Sequence, residues 1–261
     1  MRFSYGLIAG AALTLNSQAW AQQTDHESVN EANNPLTPKI TINLQDYYIP
    51  SFYGASGYAN QFLFRGLLPW KLGDHGQLFR FTLPLATAPG LSGYDTGLGD
   101  TTLMNLTPMP VSKDLTLAFG PILVAPTATS STLGSGRWQL GAAGVVIAPQ
   151  SWGLLGGLAT YQHSFANDFG RAPVNLLTIQ PIVNINLPDR YYIRSSGIWN
   201  FDLQNRNSYI PVGLGLGRVF LLDGGITANA FIEPQWTAWH DGDGAPKWQI
   251  FGGINFQFPI H

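Results

Sequence analysis

Three groups of side chains carry chemistry to be weighed. His163-Ser164, with Asn167 close by, has the residue types of a hydrolytic triad, in which a nucleophile needs an adjacent base and a third group to orient that base. The first two are neighbours in a strand-like run, where successive side chains point to opposite faces, so they pair only across a bulge. A polar strand end is the reading this favours. Asp241-Gly242-Asp243 opens like a calcium loop but lacks the remaining oxygen ligands at that motif's spacing, which leaves an exposed turn. The five histidines are scattered without metal-ligand spacing, so neither a metal nor a cofactor is expected. The third group is Arg80, Arg194 and Glu233 with the amides Gln180, Asn184, Asn229 and Gln235. All seven fall on the polar parity of alternating runs. Charges on such a face must meet water or one another. They read either as a filter for solutes or as a mutually neutralising wall, and both readings stay open.

The elements that position these residues are strands. In Lys247–Phe258, Trp248, Ile250, Gly252, Ile254, Phe256 and Phe258 share one parity. Lys247, Gln249, Gly253, Asn255 and Gln257 share the other, with Phe251 the apolar exception. This is a strand with one greasy and one wet side, about 40 Å long at roughly 3.3 Å per residue. Tilted near 45°, it matches a bilayer's hydrocarbon core. Twelve such runs recur from Ile40–Tyr48 to Lys247–Phe258, an even number, as a single-chain barrel with both ends in the periplasm requires. With the first run directed outward, the inner turns are short (Pro149–Trp152, Pro188-Asp189, Leu221–Gly224). The outer loops Thr87–Leu98, Thr127–Arg137 and Ala166–Val174 are longer and rich in Gly, Ser and Thr. Two features resist this register. The gap Gly66–Gly76 is long for an inner turn, and Pro84, Pro121, Pro181, Pro211 and Pro234 fall inside runs, where proline removes a ladder donor. They mark bulges or kinks, or else the strand ends lie elsewhere.

Composition agrees with a barrel. Charged residues are 11%, aromatics reach 13%, and the 30 glycines suit bends in a curved sheet. Trp70, Trp138, Trp152, Trp199, Trp236 and Trp248 cluster near strand ends, as interfacial anchors do. There is no cysteine, which excludes disulfides and thiolate chemistry, and no basic run, which argues against nucleic acid. Residues 1–21 read as a cleavable signal: Arg2 opens it, Leu7–Leu15 is its apolar centre, and Ala19-Trp20-Ala21 is a small-x-small cleavage site. Residues 22–39 are polar, hold two prolines and lack a period, so they read as a flexible periplasmic lead-in, with a plug inside the barrel as the alternative. Residues 40–261 form the barrel domain.

Several phrases in these strands resemble one family. They are Leu98-Gly99-Asp100, Phe119-Gly120-Pro121 with Pro126-Thr127-Ala128-Thr129, and Leu133-Gly134-Ser135-Gly136-Arg137-Trp138. Gln180-Pro181, Pro211-Val212-Gly213-Leu214-Gly215-Leu216-Gly217 and Phe256-Gln257-Phe258-Pro259 belong with them. Together they resemble the proteobacterial outer-membrane "meta-pathway of phenol degradation" family, over nearly all of the chain after residue 21. The resemblance implies a β-barrel linked to uptake of small molecules, aromatic ones among them, and supplies no catalytic residues.

The expectation is therefore an all-β, antiparallel transmembrane barrel of about twelve strands in a Gram-negative outer membrane. It would pass small solutes, hydrophobic or aromatic ones included, down their gradient through a lumen that twelve strands make narrow. Its partners would be outer-membrane lipids, periplasmic chaperones, the barrel-insertion machinery and a small-molecule solute. The alternatives are a barrel hydrolase acting on lipid and a closed barrel with a purely structural role.

Overall fold

The computed structural model describes residues 25–166 and 170–260. The signal expected over residues 1–21 and the side chain of Asn167 lie outside the described residues. Fifteen β segments form one antiparallel sheet. They are β1 (Ile40–Phe52), β2 (Ala59–Leu72), β3 (His75–Gly90), β4 (Gly93–Leu98), β5 (Thr101–Ser112), β6 (Leu115–Ala125), β7 (Trp138–Gln150) and β8 (Gly153–Ala166). There follow β9 (Asn175–Asn186), β10 (Tyr191–Ser195), β11 (Trp199–Asp202), β12 (Asn207–Gly213), β13 (Gly215–Leu221), β14 (Thr227–Asp241) and β15 (Pro246–Phe258). Three pairs of segments run end to end along a single neighbour: β4 with β5 beside β3, β10 with β11 beside β9, and β12 with β13 beside β14. The result is twelve staves. The last stave returns to the first, Ile40 opposite Phe258 through Phe52 opposite Pro246, and closes the barrel.

The alternation of side chains explains why this chain closes. Along β14, Phe231, Glu233, Gln235 and Thr237 are buried, while Ile232, Pro234, Trp236 and Ala238 face outward. Along β7, Ala143, Val145 and Ile147 are buried, with Leu140 and Val146 exposed. A sheet that buries one parity and offers apolar side chains on the other has no free edge once it closes, so it presents no unpaired strand edge to the bilayer. Trp70 and Trp152 stand exposed at one rim, and Trp138, Trp236, Trp239 and Trp248 at the other. Trp236 lies directly opposite Trp248. These are the two girdles of a membrane barrel. Among the described residues no helix is long and apolar enough to cross a membrane.

Both difficulties of register have structural answers. The gap Gly66–Gly76 is strand: β2 continues to Leu72 and β3 begins at His75, leaving Gly73-Asp74 as the turn, with Gly73 at a φ of 58° that favours glycine. The five prolines are inside strands, and the neighbouring stave is irregular beside them. Gly99, in the break between β4 and β5, donates its N–H to the Pro84 carbonyl (2.9 Å). The regular β5–β6 register lapses between Met104–Ile122 and Thr107–Phe119, at Pro121. Leu214, between β12 and β13, donates to the Pro234 carbonyl (3.2 Å). The break between β10 and β11 lies between Pro181 on β9 and Pro211 on β12, where a bulge is also seen. A proline cannot complete a ladder, so the partner stave bends there and frees residues such as Ser196 for other bonds.

The interior is of two kinds. One arc is apolar, with Leu67, Leu78, Met104, Leu106, Ile122, Val145, Ile147 and Leu154 packed as a cluster. The other, on β14, β15 and β1, is lined by amides and the charged pair described below.

The segment ahead of β1 departs from the flexible lead-in expected for residues 22–39. Residues 25–33 form a helix followed by a turn at residues 35–36, and this stretch sits inside the barrel mouth that carries the short turns. Val29 and Ala32 pack against Tyr47, Leu63, Tyr192, Phe231 and Phe251, and Leu36 joins the apolar arc. The physical reason is spacing that composition alone hides: Val29 and Ala32, three apart, share one helical face, and Leu36 follows in the turn. Polar bonds hold the segment in place. Asn30 donates to the Gln150 carbonyl (2.9 Å), Asn186 donates to Asn30 Oδ1 (3.0 Å), and Asp25 pairs with Arg190 (3.1 Å).

Candidate functional site

Above the N-terminal segment, the mid-lumen side chains are positioned by β1, β2, β3, β9, β10, β14 and β15. Alternation carries Gln45, Arg65, Arg80, Asn184, Arg194 and Glu233 to the inner face. At the centre of the polar arc Glu233 is fully buried. Its Oε2 accepts from Arg194 Nε (2.8 Å) and from the Ser196 hydroxyl (2.7 Å). Its Oε1 accepts from the Ser196 backbone N–H (2.7 Å) and from Gln235 Nε2 (2.9 Å). The break between β10 and β11 makes this possible, since a ladder-paired Ser196 would have no N–H to give. Gly213 leaves the space the carboxylate fills: a Cβ there would stand 2.3 Å from Glu233 Oε1. Gln249 extends the network by donating to Gln235 Oε1 (2.6 Å).

Arg194 also stacks on aromatic rings. Its guanidinium carbon lies 3.7 Å from the Phe231 centroid and 5.4 Å from that of Phe251, while Phe251 stacks on Tyr47 at 4.2 Å. A charge inside a low-dielectric wall is stabilised by a paired carboxylate and aromatic faces together. Phe251, the apolar exception on the wet parity of its strand, is here the shelf on which an arginine rests. Lower down, Tyr192 donates to Asn229 Oδ1 (2.6 Å), and Asn229 donates to Asn33 Oδ1 of the N-terminal segment (3.1 Å).

Between this network and the opposite wall lies a cavity of about 140 Å³. It is lined by Arg65, Arg80, Gln180, Asn184, Arg194 and Ser196, with Asn33 and Asn34 of the N-terminal segment closing it from below. The structure thus places Arg80, Gln180, Asn184 and Arg194 on one cavity. Glu233 and Gln235 stand behind Arg194, and Asn229 lies beneath, against the segment. Sequence reasoning missed Arg65, Gln45 and Ser196. Arg65 shares the inward parity of Leu63 and Leu67 on β2, a signal that the gap expected at Gly66–Gly76 hides by placing it at a strand end. Gln45 shares the parity of Tyr47 and Asn43, a signal present but unused. Nothing in the sequence reveals a strand break at Ser196 except the prolines on both flanking strands. At the inner rim a second cleft, of about 650 Å³, opens between Leu36 and Pro38 of the segment and Pro69, Trp70, Pro108 and Ile260.

The other groups weighed for chemistry are apart. Ser164 is buried, its Oγ accepting from the Val174 N–H (3.0 Å), while His163 is exposed on the opposite face of β8. Asp241 ends β14, with Gly242 in the left-handed region (φ 84°) and His240 Nδ1 3.2 Å from the Gly242 carbonyl. Among the described residues no group of three or more His, Cys, Asp or Glu side chains stands close enough to share a metal.

A closed antiparallel barrel with an apolar belt, aromatic girdles and an internal charged network is an outer-membrane protein with the fold of an outer-membrane channel. The fold matches the crystal structure of the COG4313 outer membrane channel from Pseudomonas putida F1, with a TM-score of 0.64 at 15% identity, over 87% of this chain and 98% of that one. The β domain of the Bordetella autotransporter BrkA aligns at a TM-score of 0.38 and 14% identity, over 85% of this chain and 100% of that one. No family model matches the sequence, and no curated protein does.

Proposed function

We propose that this protein is a passive outer-membrane channel for small solutes, hydrophobic or aromatic ones included, and that the N-terminal segment is its plug. The observation that carries this reading is the helix over residues 25–33 seated in the inner mouth, directly beneath a polar cavity. A barrel of twelve staves has a lumen narrow enough for one helix to stop it. The apolar arc beside the cavity supports passage of solutes with an apolar body. The phrases shared with the phenol-degradation family, and the likeness to a channel of known structure, point the same way. A protein in which His163 and Ser164 face opposite sides offers no support to the lipid hydrolase.

The test is conductance and solute uptake of the refolded protein in planar bilayers and liposomes, with and without residues 22–39. Discrete conductance that appears, or rises severalfold, on removal of the segment is the expected result. A correctly folded barrel that stays silent after the deletion would reject the channel in favour of a structural barrel.

A further inference from the structure

We propose that the mid-lumen cavity binds a small organic carboxylate between the guanidinium groups of Arg65 and Arg80. The lining contains three arginines and no Asp, Glu or Lys. Among the described residues only Arg194 has its charge answered by an ion pair, with Glu233 at 2.8 Å. Arg65 Nη1 donates to a neutral amide, Gln45 Oε1, at 2.5 Å, and its Nε is buried without a hydrogen-bond partner. Among the described residues Arg80 has neither a hydrogen bond nor an ion pair. The ladder sets these two cations side by side: Arg65 is opposite Thr82 and Arg80 opposite Leu67, so they are diagonal neighbours on one face. Such neighbours have backbones about 7–8 Å apart, within reach of one another's long side chains. Two like charges placed together in a lumen with no carboxylate between them repel, and an anion bridging both removes that cost.

The chemistry of the lining narrows the class. A guanidinium fork matches the two oxygens of a carboxylate. Leu67, Ile182 and Phe251 supply an apolar side to the same cavity, which an inorganic anion would not use. The volume of about 140 Å³ is close to the ~150 Å³ that accommodates one benzene ring, so the ligand is a single-ring carboxylate or smaller. This inference names the solute class of the channel proposed above and rests on that reading for transport, but not for binding, which the closed barrel can show by itself.

The experiment is calorimetric titration of the refolded full-length barrel with sodium benzoate, with benzamide as the neutral isostere and with inorganic phosphate. Saturable binding of benzoate, at least tenfold weaker in Arg65→Gln and in Arg80→Gln, is expected, since each lost charged hydrogen bond accounts for about that factor. Heat-modifiable migration of both variants establishes that they fold. Benzamide bound as well as benzoate would overturn the proposal, phosphate bound more tightly would overturn the carboxylate class, and absence of benzoate binding would overturn the site. Benzoate binding by a barrel that never conducts would uphold the site while rejecting the channel.

Discussion

Glu233 and Arg194 show how a charged pair is accommodated inside a membrane-embedded wall. The carboxylate has four donors within 2.9 Å, and the guanidinium has an aromatic face beneath it. Removing one member leaves the other buried and unanswered. Arg194→Ala is therefore expected to destabilise the barrel by about 3–5 kcal/mol in urea unfolding from lipid vesicles. Adding Glu233→Gln to Arg194→Ala should restore part of the loss, and a double variant as unstable as the Arg194→Ala single would refute the pairing argument. Much of this residue-scale detail was readable beforehand, because parity is a property of spacing alone. Arg194, Glu233 and Gln235 fall on one inner wall through simple alternation. What spacing does not carry is which inner residues meet, since that depends on register between strands far apart in sequence. Ser196 is the clearest case, as its role exists only because a strand is interrupted beside two prolines.

At the scale of elements, the outer loops are tied together by their own polar groups. Asp95 on β4 accepts from the Ser130 hydroxyl (2.7 Å) and the Thr132 hydroxyl (2.6 Å). Asp100 accepts from the Ser135 N–H (2.7 Å), and Arg171 donates to the Ser131 carbonyl (2.7 Å). The Thr132 and then the Ser130 hydrogen bonds hold the Asp95 carboxyl below its ordinary value. A lowered carboxyl contributes its stabilisation above the unfolded value and loses it as pH falls through the lowered one. Hydrogen-exchange protection in residues 126–137, corrected for the intrinsic pH dependence of exchange, should accordingly fall on acidification below the ordinary carboxylate range. Asp95→Asn should already lower that protection at neutral pH, and protection unchanged by both acidification and the substitution would exclude a holding role for Asp95. The segment before β1 teaches a different lesson about legibility. Its charges and prolines describe a chain without a core of its own, which is true, because the core it uses belongs to the barrel. Two apolar residues on one helical face, with Leu36 in the turn that follows, were enough to seat it there.

For the whole molecule, the side facing lipid decides stability as much as the packed interior. Phe119, 57% exposed at the middle of β6, lies on the apolar belt. Phe119→Arg should cost ~2–4 kcal/mol in vesicle unfolding if that belt meets hydrocarbon, and nearly nothing if it meets water. The twelve-stave architecture was legible because several staves, β7 and β14 among them, repeat the same two-residue period, and the prolines that obscured it bend staves without removing them. One arrangement described above also dictates an order of events. The helix in the mouth immediately precedes β1, and β1 is the stave that β15 must find to complete the ring. The helix is thus enclosed by the union of the first and last strands. With that helix as the plug proposed above, closing the seam and stoppering the lumen would be one step: the barrel would be born corked, never an open hole in the membrane that receives it.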